Sequence, residues 1–126
     1  MIVSNDDFVV TYRAKPLFDQ SVDTFIFNEI KADVEGKTRY IALEDFDMFV
    51  PHYILYQLYM LDVQSLIVEG GAITLNSFIE AGLWDEARIF TGPVMLKNGI
   101  KAPEIDGAVS DEYLCGNDNL KILHNR

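Results

Sequence analysis

Residues 65–90 read SLIVEGGAITLNSFIEAGLWDEARIF, and this stretch decides the kind of fold that the chain adopts. The apolar run Leu66–Val68 leads into the corner Glu69–Gly71, after which apolar residues recur at helical spacing. Gly82 ends that pattern, and the β-prone run Ala87–Thr91 follows. The sequence therefore predicts a strand, a tight corner, a helix and another strand, which is the order of an α/β protein.

The same analysis extends to the rest of the chain. We expect strands at Phe8–Tyr12, Thr24–Asn28, Lys37–Leu43, Val63–Val68 and Ala87–Thr91, helices at 47–61 and Gly71–Ala81, and a closing hairpin of Glu112–Cys115 with Leu120–His124. This order predicts an α/β fold with a mostly parallel central sheet, flanking helices and an antiparallel C-terminal hairpin. Neither a linker nor a repeat interrupts the sequence, so we expect a single domain over residues 1–126.

Composition excludes several classes of function. The 126 residues are 49% apolar and carry a net charge of −10, which argues against nucleic acid as a partner because binding phosphates needs a basic face. Cys115 is the single cysteine, so an internal disulfide and a thiolate metal cluster are both excluded, and we expect no metal. The sequence has no apolar run long enough for a membrane span, and its first residues, MIVSNDDF, do not show the basic start and apolar stretch of a signal peptide. We therefore expect a cytoplasmic protein.

The Glu69–Gly71 corner has the features of an anion-binding site. Gly70 and Gly71 lack side chains, so a ligand can approach the backbone, and the amides of the helix start favour negative charge. Thr74 could add a side-chain hydrogen bond in the first turn. The alternative is that the glycines only make a tight turn with close packing. Glu69 either caps the amides or contacts a ligand.

Several segments together resemble the reductase domain of the riboflavin-biosynthesis deaminase/reductase family. The matching segments are Ser65–Ala72, Ser77–Ile79, Gly82–Phe90, Gly92-Pro93 and Asn98–Pro103. The resemblance implies a dihydrofolate-reductase-like fold. It also implies NADPH-dependent reduction of the ribosyl group of a phosphorylated pyrimidine substrate to ribityl.

The resemblance assigns roles to the residues of the corner. Gly70, Gly71 and Ala72 would face the phosphates of the cofactor, with Thr74 beside them, and Glu69 would lie next to the nicotinamide and the substrate ribose. A carboxylate there could orient the sugar or relay a proton. The chain does not contain the deaminase domain of the family.

The family also places a strand, a helix and a second strand before the segments that match. We therefore expect an N-terminally truncated version of the fold, either a piece of a longer reductase or a shortened homologue. In the second case the chain would be a non-catalytic nucleotide-binding or dimerisation module. A sheet without its neighbouring strands exposes an edge, so we expect a homodimer or a larger assembly.

Overall fold

Residues 2–4, 7–11, 23–43 and 49–126 are the part of the protein that the computed structural model describes. They fall into two compact units, Met1–Leu75 and Asn76–Arg126. Each unit has its own sheet, and neither helix within the described ranges is long and apolar enough to cross a membrane. The expectation of a single domain stays a prediction.

The first unit contains a five-stranded sheet with the order β1-β2-β3-β5-β4. Its strands are β1 (Ile2–Ser4), β2 (Asp7–Thr11), β3 (Thr24–Asn28), β4 (Asp33–Glu35) and β5 (Thr38–Ala42). The predicted strands at Thr24–Asn28 and Lys37–Leu43 correspond to β3 and β5, and the strand predicted at Phe8–Tyr12 to β2, although Tyr12 lies outside the described residues. The short strands β1 and β4 were not predicted.

Strand β3 occupies the centre of this sheet, and all five of its residues are buried. Its apolar TFIFN sequence suits a strand that is covered on both faces. Asn28 ends the strand, and its side-chain oxygen accepts hydrogen bonds from the amides of Ile30 (2.9 Å) and Lys31 (2.6 Å). These bonds turn the chain towards β4, so the buried polar side chain of Asn28 has a structural role.

Helix α1 (Val50–Met60) covers this sheet with one face. Val50, Ile54 and Leu58 are buried together with Phe25 and Phe27 of β3. Pro51 occupies the first turn of α1, where its missing amide costs no hydrogen bond. Residues 44–48, which include the predicted start of the helix at 47, lie outside the described residues.

Residues 63–71, between α1 and helix α2 (Ala72–Glu80), do not form the strand predicted at Val63–Val68. Val63 and Leu66 are half-buried against the core of the first unit, whereas Ile67 is 76% exposed. The apolar residues therefore stabilise the core through side-chain packing, without pairing to a strand of the described sheet. Hydrophobicity alone cannot distinguish these two uses of an apolar run.

The second unit contains a three-stranded antiparallel sheet with the order β6-β8-β7. Its strands are β6 (Glu86–Thr91), β7 (Ala108–Cys115) and β8 (Asp118–His124). The predicted C-terminal hairpin is confirmed, with longer strands and a turn of two residues, Gly116 and Asn117. Gly116 has φ +64°, a conformation that glycine adopts readily. Strand β7 also has a bulge between Val109 and Asp111.

The expectation of a mostly parallel sheet is wrong for the described strands. Among them, β3 and β5 form the one parallel pair, and every other pair is antiparallel. For two of the antiparallel pairs the reason is the length of the connection: tight turns join β4 to β5 and β7 to β8, and a tight turn can link only antiparallel neighbours. The observed fold is mixed α/β with two small sheets.

Candidate functional site

The corner Glu69–Gly71 lies at the start of α2 and is exposed. The carbonyl of Gly71 accepts a hydrogen bond from the amide of Leu75 at 3.2 Å, which begins the helical pattern. The amides of Ala72 and Ile73 precede that bond and have no acceptor within the helix. The helix start therefore offers backbone donors at an exposed corner, where the helix dipole favours an anion.

The two glycines of the corner meet different surroundings. A Cβ on Gly70 would lie 3.1 Å from Cβ of Thr74, a tight contact that would require Thr74 to shift by a few tenths of an ångström. A Cβ on Gly71 would meet nothing within 4 Å, and neither glycine has a left-handed backbone. The fold of this chain therefore does not require glycine at Gly71. A ligand that comes close to the backbone would require it, since a side chain would occupy the same space.

Thr74 and Glu69, the other predicted site residues with functional side chains, differ in exposure. Thr74 is 1% exposed, and its side chain packs next to Gly70. Its predicted contact with a cofactor stays a prediction, and its burial favours a packing role. Glu69 is exposed and therefore accessible to a ligand at the corner, while Ala72 is half-buried at the start of α2.

Two exposed apolar residues, Ile67 and Ile73, flank the corner and were missed by the sequence analysis. Ile67 is 76% exposed and Ile73 is 83% exposed. Because the segment before the corner was predicted to be a buried strand, Ile67 was assigned to the core. Exposed apolar side chains beside open backbone donors suit a ligand that carries both an anionic group and an apolar ring.

The sequence around this corner offers backbone amides, and no basic side chain, to an anion. Residues 62–87 contain no lysine or arginine. Elsewhere in the described ranges, Lys31 forms ion pairs with Asp33 and Glu35, and the hydrogen bond to Glu35 raises the pKa of Lys31. A chain with net charge −10 would hold a phosphate most readily where oriented amides replace basic side chains.

The second unit has a shallow cavity of about 370 Å³. It is lined by Asn76 and Ile79 of α2 and by the segment Lys101–Glu104. Lys101 forms an ion pair with Glu104, three residues later in the chain. The charge of this lysine is already balanced, so the cavity lacks an excess of positive charge for a phosphate.

Comparisons with known proteins support the resemblance found in the sequence. Residues 2–109 match the family described as RibD C-terminal domain. The riboflavin biosynthesis protein RibD of Bacillus amyloliquefaciens is 30% identical over 111 residues, covering 82% of this chain and 29% of that protein. The chain thus spans less than two thirds of the length of this curated relative.

The fold resembles the crystal structure of a protein assigned to riboflavin biosynthesis from Shewanella sp. PV-4. The two share 19% sequence identity with a TM-score of 0.56, and the match covers 81% of this chain and 59% of that one. At this identity the likeness shows a shared fold.

Proposed function

The chain belongs to the RibD C-terminal domain family, and from that premise we propose that it is the reductase part of a riboflavin-biosynthesis protein. The reaction is the NADPH-dependent reduction of the ribosyl group of a phosphorylated aminopyrimidine to ribityl. The dihydrofolate-reductase-like architecture and the homodimer are parts of the same proposal. The cytoplasmic location stays a prediction.

The open corner at Gly71 is the observation that supports the proposal most directly. The residues present fit a dinucleotide, because a Cβ at Gly71 would meet only open space and the amides of Ala72 and Ile73 begin the helix there. These amides hold the phosphates, and the exposed side chains of Ile67 and Ile73 provide apolar contact for a ring.

Glu69 is the residue that contributes chemistry in this proposal. The reduction adds a hydride to the sugar carbon that carries the amine. The bond between this carbon and the ring oxygen breaks, and the ring oxygen takes up a proton. NADPH supplies the hydride when bound. Glu69 is exposed beside the corner, where its carboxylate orients the sugar or passes the proton.

The cofactor site is tested by replacing Gly71 and measuring thermal unfolding with and without NADPH. A ligand at about 100 times its Kd stabilises a native protein by roughly 2.7 kcal/mol. We expect wild type to gain this stability and Gly71→Leu to lose the gain, because the side chain fills the approach to the amides.

Gly99→Leu is the matched control for this experiment. A Cβ at Gly99 also meets nothing within 4 Å, and its backbone is not left-handed. The control variant should therefore keep the response to NADPH. An equal response from Gly71→Leu would remove the corner from the cofactor site.

The role of Glu69 is tested by the variant Glu69→Gln, which keeps the shape of the side chain and removes its charge. We expect NADPH oxidation in the presence of the phosphoribosylaminopyrimidine to fall by about 100-fold or more, the usual contribution of a proton-transfer group. The affinity for NADPH should change little. A parallel loss of both quantities would show that Glu69 only holds the cofactor.

A non-catalytic nucleotide-binding module is the second candidate. One observation favours it: between Ser65 and Ile79, Glu69 is the only ionisable residue, so this segment offers a single group for proton transfer. A module of this kind would gain stability from NADPH but would not oxidise it when the pyrimidine substrate is added. Oxidation that depends on the substrate would exclude this candidate.

A further inference from the structure

The connection between β6 and β7 contains an Asn-Gly pair, Asn98 and Gly99. Residues 92–107 of this connection form neither a helix nor a strand, and every residue from 92 to 102 is exposed. Connecting segments on a protein surface are in general more mobile than the strands that they join. Water therefore reaches both residues of the pair, and no regular structure fixes their backbone.

Gly99 leaves the peptide nitrogen that follows Asn98 sterically open. A Cβ at Gly99 would meet nothing within 4 Å, and the backbone there is not left-handed. Glycine has no side chain of its own and samples more backbone conformations than other residues do. The side-chain carbonyl carbon of Asn98 can therefore approach the backbone nitrogen of Gly99 without a clash.

Hydrogen bonds hold neither of these two groups in place. In the part of the chain that the structure describes, the side chain of Asn98 and the amide of Gly99 have no hydrogen-bond partner within the protein. A hydrogen bond to either group would have to break before the two atoms could meet. The fold therefore adds no barrier that the same segment would lack as a separate peptide.

We propose that Asn98 is a site of spontaneous deamidation in the folded protein, with water as the co-reactant. The backbone nitrogen of Gly99 attacks Cγ of Asn98, the bond between Cγ and Nδ2 breaks, and ammonia leaves with the proton of the Gly99 amide. Water then opens the succinimide ring that has formed. Attack of water at Cγ restores the backbone and yields aspartate, whereas attack at the backbone carbonyl carbon yields isoaspartate, in which the chain continues through the former side chain.

Other asparagines of the chain show how a fold protects this group. The side chain of Asn125 donates hydrogen bonds to the carbonyl oxygens of Gly82 (3.0 Å) and Trp84 (2.8 Å). Asn28 is buried, and its side-chain oxygen accepts two backbone hydrogen bonds. Both asparagines precede a residue that has a side chain, which hinders attack by the following nitrogen. We therefore expect folding to slow deamidation at Asn28 and Asn125 and to leave the rate at Asn98 unchanged.

Deamidation changes both the charge and the backbone of this connection. A carboxylate replaces a neutral amide between Lys97 and Lys101, in a chain that already carries a net charge of −10. Lys101 pairs with Glu104, so the new carboxylate enters a region where one cation is already balanced. Isoaspartate also adds a methylene group to the main chain. Both products carry one more negative charge than the unmodified chain, so they should elute later from an anion-exchange column.

Incubation of the folded chain in heavy-oxygen water at neutral pH, followed by peptide mapping, tests this proposal. The sample is returned to ordinary water and cleaved at mildly acidic pH with a glutamyl endopeptidase, which releases residues 87–104. Only deamidation during the incubation introduces heavy oxygen, so conversion during digestion is not counted. We expect labelled product at Asn98 at the same rate as in a synthetic peptide of residues 87–104. Labelling of Asn28 and Asn125 should be at least several-fold slower than in their own peptides.

Gly99→Ala is the matched variant, because it keeps Asn98 and adds one methyl group beside the attacking nitrogen. The open surroundings of Gly99 allow this variant to fold as wild type does, which circular dichroism checks. Its labelled product should fall several-fold, whereas Gly71→Ala, with a methyl group at another open glycine, should leave the rate unchanged. A folded chain that stays unlabelled at Asn98 while the peptide converts, equal rates for Gly99→Ala and wild type, or labelling of Asn125 as fast as that of Asn98 would each overturn the proposal.

Discussion

At the scale of single residues, the glycines of this chain differ in their surroundings, and their spacing in the sequence does not reveal the difference. Gly70 packs closely against Thr74, whereas Gly71 faces open space. In the second unit Gly107 is buried, and a Cβ there would lie 2.7 Å from the carbonyl oxygen of His124 and 2.8 Å from the Trp84 ring. The sequence analysis treated Gly70 and Gly71 as equivalent. Their contacts show that Gly70 packs against a side chain, whereas Gly71 leaves space that a ligand can reach.

Because Gly107 is buried, adding a single methyl group there should lower the stability of the protein. Gly107→Ala should lower the free energy of unfolding by about 1–3 kcal/mol, the usual range for overpacking, because one of the two clashes is with backbone and cannot be relieved by a rotamer change. Denaturant unfolding measures the effect. The control Gly99→Ala should unfold at the wild-type midpoint, and equal midpoints for both variants would contradict this account.

At the scale of elements, the two helices end in the same way but with different residues. After α1, the amide of Val63 donates a hydrogen bond to the carbonyl of Leu58. After α2, the amide of Leu83 donates one to the carbonyl of Phe78, and both distances are 3.0 Å. This pattern is the Schellman motif, which places the preceding residue in a left-handed conformation. That residue is Asp62 (φ +57°) in α1 and, as predicted for the end of α2, glycine (φ +67°).

These equivalent positions predict stability changes of opposite sign. Asp62→Gly should raise the free energy of unfolding by about 0.5–1 kcal/mol, because the left-handed conformation is unfavourable for an L-residue and not for glycine. Gly82→Ala should lower it by about 1 kcal/mol for the same reason. Chemical denaturation of both variants gives the comparison, and changes of the same sign would rule out this explanation.

The segment between the two helices shows where prediction by element failed. Val63 and Leu66 supply apolar side chains to the core of the first unit, as a buried strand would, and the sequence analysis therefore assigned a strand. A strand also needs a neighbour with which to exchange backbone hydrogen bonds. Whether a neighbour is available depends on distant parts of the chain, so no local pattern could answer the question.

At the scale of the whole molecule, charge and exposed apolar surface have to be considered together. A net charge of −10 disfavours contact between copies, yet α1 leaves aromatic rings exposed on a surface without charge. Tyr53, Tyr56 and Tyr59 fall three residues apart on α1, and all three rings are exposed.

Local order along the chain was sufficient to predict β3, α2 and the C-terminal hairpin, because their signals depend on neighbouring residues: an apolar run, a helical repeat ended by glycine, and a short polar turn. Segments between Ser65 and Pro103 identified the family, and the sequence Glu69–Gly71 predicted a corner before α2. The irregular segment before α2 and the pairing of strands that no tight turn connects, such as β3 with β5, depended on contacts between residues far apart in the chain. Such contacts depend on the free energy of the complete fold, because the other elements determine which partner is available to each strand.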